Sequence, residues 1–596
     1  MQAGLHITLF ASLILFILKR TPINQNVAYV LTVLILIAYG YVIGFPSSAL
    51  RAIIMFGVLS LGKILMKSYD TLSALALASL ITLVFKPLCL LESGFLMSYL
   101  AIVSIALISP VFKRIGKKQI KVLSSLSMSA SVTLTTLPVL VNSYYKISLY
   151  APILNIVLVP GMTLLLNLGL LNIIFEALFG GGFNIFAKLI HLMLFSYELL
   201  MRLELKLPYC LVSTGARGLA RSIIYEAFLI ILSVLIYRIK LSLWREKRLL
   251  INYERKHPFY NSSKEKRDIR NKYFKKLSFL FVLFAFNIAA FLYHKRDNRI
   301  EFLNVGQGLC VCVQYNGHVY FYDGGSTDRK DVYKYVLEPY MNYYAIDTVD
   351  AWFLSHEDAD HINAVYDLIL ADEKKVKKLI ICEALEKNFE EMIELASDRD
   401  CVVITSEKDD CFIENTKYIS FSQSGAGFLN VANSSKIDDN QKTTDSLKSG
   451  DTRKTKDSLK AFDSRYPEIE FIVLSPEKKE KFLDSNALSQ VILFKCNEAD
   501  ILLMGDAGED AEKRVMEYLS KTGDTIEILQ SAHHGSAIDT NSKKFLMYVK
   551  PKITVISCGF QNSYGHPHRE TIENLEETGT LIMRTDEDGA VRIMLK

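Results

Sequence analysis

Ten apolar runs occupy the first half of the chain, at 5–18, 27–42, 49–66, 71–91, 95–112, 122–141, 153–179, 183–200, 223–237 and 277–293. Most approach the roughly twenty residues that a helix needs to cross a hydrocarbon layer. Buried helices of a water-soluble core would carry polar faces, and these runs lack them. Past residue 300 the pattern changes. Short apolar strands there end in polar clusters, as expected of a layered α/β unit. The chain is therefore expected to pair a polytopic α-helical membrane domain over 1–294 with an α/β domain over 295–596.

Charge adds an orientation. Lys19-Arg20 follows the first run, and Lys113-Arg114 with Lys117-Lys118 follows the fifth. The stretch 238–276 holds fourteen basic and four acidic residues. Such a bias marks the cytoplasmic side. If all ten runs cross, including 183–200 with its Lys188, His191 and Glu198, the basic stretches share one side. The C-terminal domain then lies on the outer face. The stretch 238–276 reads as a charged loop with a short amphipathic helix near 241–251. Residues 422–464 are rich in Ser, Lys, Asp, Thr and Asn, too polar to offset the entropy of ordering, and read as a low-complexity insertion. Seven of nine cysteines lie beyond residue 300 with no C-x-x-C pair, so they read as core residues. No basic segment precedes the first run, so Met1 opens no signal-peptide pattern.

Candidate chemistry concentrates at strand ends. The apolar run Trp352-Phe353-Leu354 leads into Ser355-His356-Glu357-Asp358-Ala359-Asp360-His361. Two imidazoles and two aspartates fall within six residues. Imidazole nitrogens and carboxylate oxygens in that mixture suit zinc or manganese. Aspartates this close repel unless a cation lies between them. Distant stretches complete the set. Ile501–Met504 ends in Gly505-Asp506, Ile528-Leu529 leads to His533-His534-Gly535-Ser536, and Val555-Ile556-Ser557 leads to Tyr564-Gly565-His566-Pro567-His568. Six of the seven histidines beyond residue 300 fall in these clusters.

This ordered series resembles the metallo-β-lactamase superfamily, and more narrowly the C-terminal domain of ComEC-type competence proteins. The resemblance runs from Asn304-Val305-Gly306-Gln307-Gly308 through Asp323-Gly324-Gly325 and the His-x-Asp-x-Asp-His pattern at 356–361 to Tyr564-Gly565-His566-Pro567. It implies a metallo-β-lactamase-like αββα sandwich. The membrane half is similar to the competence domain of the same proteins at Gly4-Leu5-His6, at 46–52 (Pro-Ser-Ser-Ala-Leu-Arg-Ala) and at 94–100 (Gly-Phe-Leu-Met-Ser-Tyr-Leu). The family's usual N-terminal soluble domain is expected to be lacking before Gly4.

The resemblance implies a site for two divalent ions, Mn2+ or Zn2+. His356 and Asp358 would serve one position, Asp360 and His361 the other, with Asp506 bridging and His533 as a further ligand, a role His534 shares. The superfamily's third histidine is missing, and Asn486 and Ser489 stand near its place. Asp360 and His534 would take part in catalysis, while Asn562 and His566 hold the phosphate or protonate the leaving oxygen. Asp323-Gly324-Gly325 reads as a tight turn beside the metals. The implied function is a DNA uptake channel of natural transformation, with an outer-face nuclease that degrades one strand. The competing reading is a membrane-tethered phosphodiesterase acting on an envelope polymer or lipid. Implied partners are DNA, as a single strand in the membrane domain and a duplex at the hydrolase, together with membrane lipids, a DNA receptor and an ATPase. The ATPase must be a separate protein, because the chain has no Gly-rich loop of the P-loop type. Oligomeric state stays open.

Overall fold

In the computed structural model the chain divides into two units, Met1–His294 and Lys295–Lys596. The structure describes all residues except 1, 113–120, 180–184, 258–259, 261, 295, 414–418, 421–468, 478–485, 497–498 and 596. The basic residues at 113–118 and the insertion 422–464 lie outside the described residues.

The first unit is helical. Its ten main helices are α1 (Gln2–Leu18), α2 (Gln25–Val42), α3 (Ser47–Ile64), α4 (Thr71–Phe85), α5 (Ser93–Phe112, with a π-turn at Ser104–Ile108), α6 (Lys121–Tyr144), α7 (Ala151–Phe179), α8 (Ile185–Leu205), α9 (Leu219–Lys256) and α10 (Ser263–Leu292). Each apolar run of the sequence falls on one of them. Among the described residues, seven helices are long and apolar enough to cross a membrane: α2, α3, α5, α6, α7, α9 and α10. The chain is thus a multi-pass membrane protein. The other three fall short for separate reasons. α1 has 17 residues and α4 has 15. α8 carries Lys188, Glu198, Arg202 and Glu204 and buries none of its side chains.

The expectation of a loop at 238–276 is overturned. Helix α9 runs 38 residues, far past its apolar part, and α10 begins at Ser263. Charge hid the helices from a periodicity test, but Leu, Arg, Lys and Glu are all good helix formers. Cross-links between the helices hold them as a hairpin: Lys266 Nζ donates to Glu254 at 2.6 Å, and Ser242 and Tyr273 hydroxyls lie 3.0 Å apart. The two membrane motifs meet on α3 and α5. Ser47 donates to Glu92 at 3.0 Å, and Arg51 Nε donates to Ser98 at 2.7 Å. Arg51 is therefore tied to a neighbouring helix instead of snorkelling outward.

The second unit is built on two sheets. The first has the order β6-β5-β4-β3-β2-β1-β15, from β1 (Arg299–Phe302), β2 (Val311–Tyr315), β3 (His318–Tyr322), β4 (Ala351–Phe353), β5 (Lys378–Cys382), β6 (Val402–Ser406) and β15 (Val591–Met594). The second has the order β8-β7-β9-β10-β11-β12-β13-β14, from β7 (Asp410–Ile413), β8 (Ile419–Ser420), β9 (Glu470–Ser475), β10 (Val491–Cys496), β11 (Ala499–Leu503), β12 (Ile528–Gln530), β13 (Ile553–Ile556) and β14 (Leu581–Arg584).

Strand alternation creates three apolar layers, because successive side chains point to opposite faces. Tyr320, Tyr322 and Phe353 of the first sheet pack with Phe471, Phe494 and Leu503 of the second, forming the core between the sheets. Their neighbours Phe321 and Trp352 face the other way and stack at 4.3 Å between ring centroids. There they meet α11 (Ala359–Ala371) and α12 (Glu390–Asp398) through Val365, Leu368 and Met392. Leu493, Leu502 and Leu529 likewise pack on α13 (Glu509–Thr522), α14 (Lys543–Val549) and α15 (Arg569–Thr578). The result is the αββα sandwich of the metallo-β-lactamase-like fold. Trp352 is fully buried, and at about 25 cal/mol per Å² its side chain alone contributes on the order of 4–6 kcal/mol to this packing.

β3, β4 and β5 run parallel, as do β11 through β14. Parallel strands send their C-terminal ends to the same edge. Asp323, Ser355, Asp506, Ser531 and Ser557 each lie within three residues of the end of one of these strands.

Candidate metal centre

The first sheet supplies a rigid frame. After β3 the chain turns sharply, with Asp323 at φ +53°. Gly325 must lack a side chain, since a Cβ there would strike the carbonyl of Ala359 and the amide of His361. That close approach seats the start of α11 against the turn, and Gly324 N donates to His361 O at 2.5 Å. Asp323 is fully buried. It accepts from Ser355 N and Ser355 Oγ, both at 2.7 Å, and its Oδ2 lies 2.8 Å from His361 Nδ1. A residue expected only to shape a turn is thus a hub that orients a ligand. Its signal was present in the Asp-Gly-Gly triplet, but spacing alone could not show which side chains it would meet.

Three imidazoles are aimed by their Nδ1 atoms. His361 Nδ1 meets the Asp323 carboxylate. His534 Nδ1 lies 2.8 Å from the Ser557 carbonyl, which can only accept. His356 Nδ1 lies 2.9 Å from Ser355 Oγ and 3.3 Å from Ser489 Oγ, so Ser489 buttresses the site as a hydroxyl where a third histidine was sought. With each Nδ1 engaged, Nε2 presents its lone pair inward. The Nε2 atoms of His356, His361 and His534 and Oδ1 of Asp506 are all buried and make no hydrogen bond. Four desolvated polar atoms left this way are costly unless a cation joins them. Two sets of ligand atoms lie within 4.8 Å of one another: His356, His361 and Asp506, and Asp360, His361 and His534. Donor chemistry and the orphaned atoms both fit divalent metal.

Electrostatics agree. Burial opposes a charge on His361, yet the Asp506 and Asp323 carboxylates raise it well above the usual imidazole range. Burial likewise opposes ionisation of Asp506, but the charges of His361 and His534 hold it well below the usual carboxylate range. His534 is raised against burial by Asp506 and Asp360, and Asp360 is lowered against burial by His534 and His361. Without metal the cluster holds protons that a metal must displace.

The structure sorts the expected residues. Asp506 Oδ1 lies 3.2 Å from His361 Nε2, while its Oδ2 lies 3.7 Å from both His533 and His534 Nε2. Its two oxygens face different neighbours, as a bridging position requires. Asp360 Oδ2 lies 3.3 Å from His534 Nε2. Asp358 stays half exposed, 3.5 Å from His356, outside both sets. The order expected for the histidine pair is reversed. His534 is buried within the cluster, whereas His533 is one-third exposed at its rim. Both residues take left-handed backbone angles, φ +48° and +54°, which send adjacent side chains apart. Asn562 is engaged by its own loop. Its Oδ1 accepts from the amides of Tyr564 and His566, and its Nδ2 donates to the carbonyls of Gly559 and His566. These bonds shape the turn that carries His566.

His566 sits above the cluster, its ring centroid 5.6 Å from that of His533. Burial, reinforced by His534 and His533, pushes it down to about 4. At neutral pH it is an uncharged hydrogen-bonding group, which disfavours the proton-donor role expected of it. Gln307, missed in the sequence, sets its tautomer. Gln307 Oε1 accepts from Gly559 N at 3.1 Å, so Nε2 is the amide donor facing His566 Nδ1 at 3.4 Å. The imidazole proton then lies on His566 Nε2. Beside the cluster opens a cleft of 350 Å³ bordered by Asn486, Asp506, His533, Ile538 and Thr540.

Known proteins resemble both halves of the chain. The competence protein family matches residues 3–239. The first unit thus carries a competence protein domain, and the chain is similar to ComEC-type competence proteins. ComE operon protein 3 of Bacillus subtilis (strain 168) is 23% identical over 612 residues, covering 100% of this chain and 67% of its own length. Recombination protein 2 of Haemophilus influenzae is 24% identical over 320 residues, covering 53% of this chain and 32% of its own length. Competence protein ComA of Neisseria gonorrhoeae is 30% identical over 129 residues, covering 21% and 18%. The chain therefore spans about two thirds of the first relative and a third or less of the others. Among solved structures, Igni18, a metallo hydrolase from Ignicoccus hospitalis, aligns with 50% of this chain and 100% of its own at 12% identity and TM-score 0.30. The metallo-β-lactamase fold protein YhfI from Bacillus subtilis aligns with 49% of this chain and 99% of its own at 10% identity and TM-score 0.30.

Proposed function

We propose that this chain is a DNA uptake channel of natural transformation in the cytoplasmic membrane, and that its second unit is an outer-face, metal-dependent nuclease that degrades one strand. The observation that carries the hydrolytic half is the set of buried, unbonded ligand atoms on His356, His361, His534 and Asp506. The competence domain at residues 3–239 supports the uptake half.

His356, His361 and Asp506 would hold one divalent ion, and Asp360 and His534, with Asp506 shared, a second, since the single free Nε2 of His361 can serve only one of them. Such ions supply Lewis-acid polarisation of a phosphoryl oxygen and a water acidic enough to ionise near neutral pH. The chain's own residues do the rest. Asp323 and Ser557 fix the rings of His361 and His534, so no reorganisation is needed when substrate arrives. Neutral His566 offers its Nε2 proton as a hydrogen bond to a phosphate oxygen, with Gln307 holding the ring. Asp506 and His533 border the cleft through which a strand would reach the cluster. Carboxylates in place of imidazole harden the donor set and favour manganese over zinc.

The test is a nuclease assay on the full chain in detergent with Mn2+ or Zn2+, on duplex and single-stranded DNA. Asp360→Ala and His361→Ala should abolish cleavage while leaving the chain folded. Equal cleavage by these variants would reject the site. Deletion in a naturally transformable host should abolish uptake of labelled DNA; unchanged uptake, with hydrolysis of an envelope phosphodiester, would select the tethered hydrolase instead.

A further inference from the structure

A second charged feature lies in the first unit, far along α9 and α10 in sequence from their apolar parts. Residues 238–276 carry fourteen cations against four carboxylates. Marking the cytoplasmic side needs charge but not a folded element. Here the charge is carried on two helices that pack together. Three of the carboxylates are used inside the hairpin: Glu246 accepts from Tyr273, Glu254 from Lys266 and Ser262, and Glu265 from Tyr260 at 3.0 Å. Cations are left facing outward. Lys247, Arg267 and Arg270, with the Glu254-paired Lys266, line a cleft of 480 Å³ together with Ile251 and Ser263. Among the described residues Lys247, Arg267 and Arg270 have no acidic partner.

We propose that this hairpin cleft binds the phosphate backbone of a single-stranded nucleic acid. Two observations select that ligand over anionic lipid headgroups. The first is reach. Lys247 is ten residues past Tyr237, where the apolar run of α9 ends, and Ser263 precedes Leu277, where that of α10 begins, by fourteen. At 1.5 Å per residue the cleft residues stand about 10–21 Å beyond the apolar segments, whereas the headgroup layer is only about 5–8 Å deep on each side. The second is the aromatic content. Tyr253, sixteen residues past Tyr237, is 49% exposed and clusters with His257 and Tyr260 near the turn. Solvent-facing rings among unpaired cations form a stacking platform beside a phosphate track, which suits unpaired bases. The choice of nucleic acid rests on the proposed uptake role, since a strand crossing the first unit needs a site to receive it.

The experiment uses the full chain in nanodiscs of zwitterionic lipid, stripped of metal, with a fluorescent single-stranded oligonucleotide read by anisotropy. Replacing Lys247→Gln, Arg267→Gln and Arg270→Gln together should weaken binding roughly tenfold and flatten the logarithmic salt dependence by about 2, at about 0.7 for each phosphate no longer neutralised. A Lys247→Arg, Arg267→Lys, Arg270→Lys chain keeps the charge and should restore both. Unchanged affinity and slope in the first variant would overturn the proposal. So would a variant that keeps its DNA affinity but loses binding to phosphatidylglycerol vesicles, since the site would then be a headgroup site. DNA cleavage by the metal-loaded chain is measured separately: its absence would refute the nuclease role while oligonucleotide binding at the hairpin still stood.

Discussion

Asp323→Asn is the sharpest perturbation of the metal centre, because Asp323 should touch no metal yet orients a ligand. Its carboxylate accepts three short hydrogen bonds, two from Ser355 at 2.7 Å and one from His361 at 2.8 Å. Asparagine keeps the shape but replaces one acceptor with an amide donor. If the amide oxygen stays on His361 and Ser355 Oγ, the new NH2 group faces the Ser355 backbone N–H, donor against donor. If it flips, His361 loses its acceptor and its tautomer is free to change. A hydrogen bond to a charged group contributes about 1.5–3 kcal/mol, and a buried donor left unsatisfied costs about 1–3 kcal/mol. Loss of such an orienting partner weakens metal affinity by about 10–100-fold, or about 1.4–2.8 kcal/mol. The assay is competition titration of Mn2+ against a chelator on the metal-stripped full chain, with thermal unfolding followed in parallel. Ser355→Ala serves as the comparison and should weaken binding less, because its backbone amide still binds Asp323. A metal affinity for Asp323→Asn within twofold of the parent would show that the hub does not position His361, and the account of the site would be wrong at its base.

Four further outcomes follow from the same geometry. Asp506→Ala should release both metals, since its two oxygens face both sets, and should reduce DNA cleavage by at least about a thousandfold; retention of two ions by elemental analysis would exclude the bridging position. His361 has a raised value in the metal-free fold, so its charged form stabilises that fold fully below 6.5, and this contribution is lost as pH rises through the raised value; melting of the stripped chain should weaken there while metal affinity grows, and a pH-independent affinity would contradict the proton displacement. Asn562→Ala should cost about 2–4 kcal/mol of stability by removing four hydrogen bonds to the backbone, and calorimetry showing an unchanged melting point would return Asn562 to a role in binding. Gln307→Met should leave metal affinity intact but weaken phosphate binding about tenfold by freeing the His566 tautomer, which NMR of the ring nitrogens would register directly; an unaltered tautomer would refute that role.

Hydropathy and local order carried much of this protein. Each of the ten apolar runs falls on a helix, because a long uninterrupted apolar segment has few alternatives to burying its backbone polar groups in helix. Strands ending at Phe353, Leu503, Gln530 and Ile556 were legible from apolar stretches that stop at polar clusters, and the ligand types were legible from the clusters themselves. What periodicity could not supply was the fate of charged helix. Residues 238–276 follow helical propensity without an apolar stripe, and only their pairing as α9 and α10 reveals a hairpin.

The site was decided at longer range. Sequence named His533 and His534 as a pair, but backbone angles near the left-handed region chose which one turns inward. Sequence offered Asn562 for the phosphate and Asp323 for a turn; the folded loop engaged the first, and the meeting of β3, β4 and α11 made a hub of the second. Gln307 and His566 stand 259 residues apart, and nothing local joins them. Composition and periodicity act over a few residues and so determine elements and donor chemistry. Ring orientation, desolvation and the distance between two carboxylate oxygens depend on which strand ends share an edge, and that is settled only when both sheets close over a common core.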